Sequence, residues 1–76
     1  MVNAFVFVVL KEGGAEIIDI NRVKNIEGVK SALSVYGSYD LVVEIKVKDV
    51  SDLQKVIKKL RSFNEIVKTT TMICIE

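Results

Sequence analysis

The segment Val2 to Leu10, VNAFVFVVL, constrains the fold more than any other part of the sequence. It is rich in β-branched and aromatic residues, which favour strands, and apolar residues occupy both its odd and its even positions. Because successive side chains of a strand point to opposite faces of the sheet, both faces of this strand carry apolar groups. We therefore expect a strand that is buried on both sides.

Two later segments have the apolar spacing of helices. Residues 15–26 (AEIIDINRVKNI) repeat apolar side chains at helical intervals, and Gly28 lies just beyond their end. Residues 49–63 begin at Asp49 or Ser51, either of which suits an N-cap, and carry three basic residues near their C-terminal end. Their apolar stripe consists of Val50, Leu53, Val56, Ile57 and Leu60.

Three other segments favour strands. Residues 28–36 (GVKSALSVY) and 39–48 (YDLVVEIKVK) flank Gly37 and Ser38, a pair typical of a two-residue type II′ hairpin loop. Residues 65–76 (EIVKTTTMICIE) combine consecutive threonines with alternating apolar residues, which fit a pleated surface. The predicted order is therefore βαββαβ.

This order predicts an α+β domain of ferredoxin-like type, an α/β plait. Its antiparallel four-stranded sheet has strands one and three at the centre and both helices on one face. The opposite face then keeps a row of large apolar groups from the first strand, and exposed apolar patches of several hundred Å² normally mark interfaces. We therefore expect an obligate dimer or higher assembly joined through the open sheet faces.

Length and composition exclude several other classes of protein. A chain of 76 residues has room for one core, so residues 1–76 are expected to form a single domain. The 11 basic residues are balanced by 10 acidic ones, which argues against a basic nucleic-acid binder. The apolar N-terminal run is too short to span a bilayer as a helix and lacks the features of a signal peptide, so a cytoplasmic location is expected.

The sequence contains no recognisable catalytic or metal-binding motif. It has no histidine, the usual general base near neutral pH, and Cys74 is its single cysteine. No serine or threonine has an obvious activating base, and no glycine-rich phosphate loop is present. We expect neither enzymatic activity nor a metal or cofactor.

The hairpin contains an acidic residue in an apolar setting. With Gly37 and Ser38 as the loop, Tyr36 would pair with Tyr39 and Val35 with Asp40, which places Tyr39 under the helices and Asp40 on the open face. A carboxylate beside apolar neighbours needs a partner, because burying an unpaired charge costs several kcal/mol. The ammonium of a bound amino acid could supply it, while a turn-flanking or edge-blunting role for Asp40 is the alternative.

Three segments together resemble the ligand-binding domain of the leucine-responsive and asparagine-responsive (Lrp/AsnC) transcription regulators, the RAM domain. They are AFVFV (4–8), IEGVKSALSVYGSYDLVVEIKVKD (26–49) and VKTTTMICI (67–75). The resemblance implies a ferredoxin-like fold, dimers joined through their sheets, and octamers or decamers built from those dimers. It also implies that small effectors, usually amino acids, bind between dimers near the hairpin.

The resemblance assigns effector-binding positions to seven residues. They are Gly37, Ser38, Tyr39 and Asp40 in the hairpin and Thr69, Thr71 and Met72 in the last strand. The family's helix-turn-helix domain is missing from this sequence, so direct DNA binding is not expected. The predicted function is that of a stand-alone effector-binding and oligomerisation module in transcription regulation.

Two other functions remain open at this stage. The chain could be a purely structural partner that forms hetero-oligomers with full-length Lrp/AsnC regulators. It could also be a small cofactorless enzyme on a dimeric α+β barrel, although the fold alone is weak evidence for that activity.

Overall fold

The computed structural model describes residues 1–75, which form one sheet and three helices. The strands are β1 (Val2–Leu10), β2 (Val29–Ser34), β3 (Leu41–Val47) and β4 (Ile66–Ile73). The helices are α1 (Gly14–Ile17), α2 (Ile20–Lys24) and α3 (Val50–Arg61). The strand order is β2-β3-β1-β4 and every neighbouring pair is antiparallel, so the predicted ferredoxin-like plait with β1 and β3 at the centre is confirmed.

The predicted helix over residues 15–26 is interrupted, and this part of the prediction is wrong. Ile18 has extended backbone angles, and Asp19 then begins the second piece by accepting a hydrogen bond from the Asn21 N–H at 3.0 Å. Aspartate favours N-cap positions over helix interiors because its short side chain competes for backbone N–H groups. The apolar spacing therefore continues across the segment while the helix itself restarts at Asp19.

The core lies between the sheet and the helices. The even-numbered residues of β1 from Ala4 to Leu10 and the odd-numbered residues of β3 are buried, as the alternation of strand side chains requires. Leu53, Val56 and Leu60 of α3 cover them, which confirms the apolar stripe predicted for this helix.

Asp49 begins α3, as one of the two predicted N-caps. Its carboxylate accepts hydrogen bonds from the Ser51 hydroxyl at 2.7 Å and from the Asp52 N–H at 3.0 Å. The Ser51 hydroxyl is the main cause that lowers the pKa of Asp49 below its ordinary value, and the Asp52 N–H acts in the same direction. Within residues 1–75, no helix has the length and apolar character needed to cross a membrane.

The face of the sheet away from the helices, called the open face below, keeps a row of apolar side chains. Phe5 is 36% exposed, Met72 57% and Leu33 60%, and each lies opposite the covered side. The apolar members of this row are Phe5, Phe7, Val9, Leu33, Val42 and Met72. The predicted uncovered apolar row is therefore present. In the single chain β1 is fully buried on one face only, so the prediction of a strand buried on both sides is wrong for it.

Gly28 joins α2 to the sheet at a point with no room for a side chain. A Cβ there would lie 2.8 Å from Val47 Cγ1 and 2.9 Å from Val56 Cγ2, and the φ of Gly28 is 98°. We expect Gly28→Ala to lower the free energy of unfolding by about 2 kcal/mol or more, because backbone strain and overpacking add. Urea unfolding followed by circular dichroism measures this loss.

The matched control is Gly13→Ala. Gly13 also has a positive φ, 78°, but nothing lies within 4 Å of its added Cβ. The free energy of unfolding of this variant should fall by only about 1 kcal/mol, which is the cost of a left-handed backbone at a residue with a side chain. Equal losses for the two variants would contradict the close packing of Gly28 against Val47 and Val56.

Candidate functional site

The β2–β3 hairpin has the predicted register but a wider loop. Leu33 pairs with Val42 and Ser34 with Leu41, and the Val35 N–H then donates to the Asp40 carbonyl at 3.0 Å. Regular pairing ends there, so the loop spans residues 36–39, and the prediction of a two-residue type II′ turn is wrong. Gly37 has a φ of 143°, and nothing lies within 4 Å of a Cβ added to it. The tip of the hairpin is therefore open to an approaching group.

Asp40 extends the ladder between β1 and β3 beyond the last regular pair. Its N–H donates to the Val8 carbonyl at 2.8 Å, and its Oδ2 accepts a hydrogen bond from the Leu10 N–H at 2.7 Å. The carboxylate therefore lies beside the backbone of β1 and bonds to it. This charge-assisted hydrogen bond supplies the half-buried side chain with a partner inside the chain.

The second carboxylate oxygen of Asp40 remains available. Within residues 1–75, Oδ1 accepts no hydrogen bond, and no Lys or Arg lies within ion-pair distance of this carboxylate. The Leu10 N–H therefore fixes the orientation of the carboxylate while Oδ1 can still accept a hydrogen bond from a ligand.

Tyr39 lies on the open face, and the prediction that it packs under the helices is wrong. Its ring centroid is 5.2 Å from that of Phe7, with the two planes tilted by 46°. Phe7 belongs to the open face because it alternates with the buried Val6 and Val8. The alternation of β3 does not reach Tyr39, because the chain leaves the regular pleat before Leu41.

The predicted last-strand residues lie on two different faces of the sheet. Thr69 pairs with Val8 and Thr71 with Val6, so both hydroxyl-bearing side chains lie on the helix side of the sheet. Met72 pairs with Phe5 and lies on the open face. Thr69 and Thr71 therefore share a face, as predicted, but Met72 does not share it.

The hairpin and the last strand are separated by β1. Thr69 is aligned with Val8, which is aligned in turn with Leu41, so about 10 Å separates Thr69 from the strand that carries Asp40. Met72 lies three residues further along β4. A ligand the size of an amino acid cannot contact all of these residues in one chain.

Sequence reasoning missed two partners of the hairpin. The Leu10 N–H is a backbone donor, so no side-chain pattern identifies it. Phe7 supports Tyr39, and the alternation within β1 was the available signal for it. Within residues 1–75, no group of three or more His, Cys, Asp or Glu side chains is arranged to hold a metal ion.

These observations define a class of protein: a ferredoxin-like domain with an open apolar sheet face and an acidic hairpin at one end. The family model of the Lrp/AsnC ligand binding domain matches residues 3–76, and the chain belongs to this family.

Solved structures agree with this assignment. FFRP-DM1 has 37% sequence identity and a TM-score of 0.87, and the match covers 99% of this chain and 100% of that one. A hypothetical protein from Pyrococcus horikoshii has 36% identity and a TM-score of 0.86, with coverage of 100% and 92%. A feast or famine regulatory protein from M. tuberculosis, solved in complex with L-methionine, shares the fold at 24% identity and a TM-score of 0.78; the match covers 100% of this chain and 51% of that one.

Curated relatives include a much longer enzyme. The homocitrate synthase of Sulfolobus acidocaldarius is 29% identical over 55 residues, which cover 72% of this chain. The match covers only 12% of the length of that enzyme. The similarity therefore concerns a small part of the synthase.

The hydrogen bond between Asp40 and Leu10 makes a testable contribution to stability. We expect Asp40→Ala to lower the free energy of unfolding by about 1–2 kcal/mol, because it leaves a partly buried N–H without its partner. Asp40→Asn should lose less than half of that amount, since an amide oxygen can still accept from Leu10. Denaturant unfolding of the three proteins at pH 7 gives the comparison, and equal losses for both variants would show that the hydrogen bond is not the stabilising contact.

Proposed function

We propose that this chain is an effector-binding and oligomerisation module that takes part in transcription regulation. Membership of the Lrp/AsnC ligand-binding family supports the regulatory role. The match to FFRP-DM1, which covers 99% of this chain and 100% of that one, supports the fold of such a module. A cytoplasmic location and the lack of enzymatic activity are parts of the same proposal.

The observation that carries the proposal is the oriented carboxylate of Asp40. The Leu10 N–H holds one oxygen at 2.7 Å, and within residues 1–75 the other oxygen accepts no hydrogen bond. A fixed acidic group at an open surface binds cations at little entropic cost, because its rotamer is already determined. An ammonium group is the natural partner for this oxygen.

An amino acid would also offer binding partners to the loop amides and the apolar side chains near the hairpin. The loop amides around Gly37 can donate to its carboxylate, and the exposed Leu33 and Val35 offer an apolar surface to an aliphatic side chain. The complex of the M. tuberculosis relative with L-methionine supports this class of effector.

Assembly completes the site in this proposal. The open face would pack against that of a second copy to form dimers, and dimers would join into octamers or decamers. The hairpin set (Gly37, Ser38, Tyr39, Asp40) and the last-strand set (Thr69, Thr71, Met72) lie too far apart in one chain to contact one effector together. In the assembly, the hairpin of one copy and the last strand of another would lie close enough to contact the same effector.

A second candidate function follows from the homocitrate synthase relative. A stretch similar to most of this chain occurs within a biosynthetic enzyme, where it makes up a small fraction of the whole. The module could therefore regulate an enzyme instead of a promoter, with the same effector site. Copurification distinguishes the two functions: a transcription regulator as the bound partner favours the first, and a biosynthetic enzyme favours the second.

The effector proposal predicts a ligand-dependent thermal shift. At least one of the common amino acids at millimolar concentration should raise the melting temperature by several degrees, because a ligand of the folded state stabilises it by about 2.7 kcal/mol at one hundred times its Kd. Asp40→Asn should abolish the shift, since it preserves an acceptor for Leu10 but removes the negative charge.

Asp52→Asn is the matched control for the thermal shift. It removes an equal charge from α3, far from the hairpin, and should keep the shift. If no amino acid stabilises the wild-type chain, the effector proposal fails. A hetero-oligomer with a full-length regulator that forms equally well with Asp40→Asn would then support the purely structural role.

The assembly proposal predicts that a charge at the centre of the open face dissociates the oligomer. We expect Phe5→Lys to shift the sedimentation coefficient to that of a smaller species. The paired Glu44 can accept the new ammonium, so the fold itself should persist, as circular dichroism can verify. Ile17→Lys, at a position on α1 that is 61% exposed, is the control and should leave the oligomer intact. An unchanged oligomer in Phe5→Lys would exclude the open face as the dimer interface.

A further inference from the structure

A groove of about 720 Å³ lies at the opposite end of the sheet from the hairpin. The turn from Asn25 to Gly28 forms one wall, the end of β3 forms the floor, and α3 forms the other wall. The floor residue Val47 pairs with Val2, whereas the hairpin lies beside Val8 to Leu10. Six residues of β1 therefore separate the two places, a distance of roughly 20 Å.

The floor of the groove is apolar and tightly packed. Gly28 lies so close to Val47 and Val56 that it leaves no space for a Cβ. These three residues fix the separation between the turn and α3. The groove is open to solvent on one side, so a ligand there would contact the floor and walls without being enclosed.

The α3 wall places two lysines next to each other above this floor. Lys55 and Lys59 line the groove one helical turn apart, and like charges at this spacing repel each other. The Lys55 ammonium lies 3.7 Å from Asp52, but both groups are exposed and such a pair contributes little. Within residues 1–75, the Lys59 ammonium forms no ion pair. An anion between the two ammonium groups would relieve their repulsion.

Lys48 adds a third positive charge at the end of the groove, and Glu27 on the facing wall opposes the three. Lys46 also borders the groove, but the alternation of β3 directs its side chain to the open face. With Lys46 directed away, the groove is lined by three lysines (Lys48, Lys55 and Lys59) and two acids (Glu27 and Asp52), so the formal charge of these five groups is +1. The lining contains lysines but no arginine, and a lysine binds a phosphate group as a compact point charge.

We propose that this groove is a second ligand site, separate from the hairpin, which binds a phosphate-bearing small molecule between Lys55 and Lys59. Val47, Val56 and Gly28 form its rigid floor, and Lys48 attracts the rest of the anion. Glu27 and Asp52 limit the affinity. This site requires no second copy of the chain, in contrast to the effector site proposed at the hairpin.

Isothermal titration of the full chain with inorganic pyrophosphate, at low ionic strength, tests the proposal. Lys59→Gln should weaken binding about threefold to fivefold, and Glu27→Gln should strengthen it by a similar factor, as expected for single exposed charges. Lys58→Gln is the matched control, because Lys58 lies on the same helix but lines a different groove. Its affinity should equal that of the wild type.

Three results would overturn the proposal. They are the absence of binding to the wild-type chain, an equal loss in Lys58→Gln and Lys59→Gln, and binding of citrate as tight as that of pyrophosphate. The second result would show that any positive charge on α3 attracts the anion equally, whether or not it lines the groove. The third result would show that the groove has no preference for phosphate. Titration with a nucleoside triphosphate and with inorganic phosphate then distinguishes a nucleotide from the free ion by their relative affinities. Circular dichroism of each variant confirms that the fold is intact.

Discussion

The feature on which the rest of the structure depends is the apolar character of both faces of β1. Its even-numbered side chains, Ala4 to Leu10, are buried under the helices and build the core with β3 and α3. Its odd-numbered side chains Phe5 and Phe7 remain on the open face. One layer of helices can cover only one face of a sheet, and the helices of residues 1–75 form a single layer. The stability of the monomer and the proposed assembly therefore come from the same strand.

The hairpin lies at the end of this two-faced strand, where regular pairing stops. Asp40 accepts a hydrogen bond from the Leu10 N–H of β1, while Tyr39 packs on Phe7 of the open face. Both residues are thus attached to β1, one through its backbone and the other through its side chain. This arrangement links the geometry of the proposed effector site to the face through which copies would associate, so that binding and assembly can influence each other.

The fold could be predicted from the sequence because strand and helix periodicities agree with the βαββαβ order over most of the chain. The break at Asp19 could not be predicted in this way, because the spacing of apolar residues does not reveal a polar side chain that caps a new helix. Tyr39 was assigned to the wrong face because period-two alternation holds only within a regular strand. The partner of Asp40 was missed because it is a backbone N–H. The seven hairpin and last-strand residues could be named from family resemblance, but their distribution over different faces and strands could not, because it depends on the register of β4 against β1.

A crystal structure of the assembled protein grown with a stabilising amino acid tests the central claim most directly. The account predicts density for the effector at the hairpin, with its ammonium within hydrogen-bond distance of Asp40 Oδ1, the Leu10 N–H still bound to Oδ2, and the last strand of a different copy in contact with the ligand. Density for the amino acid at a position that leaves Asp40 without contact would contradict it.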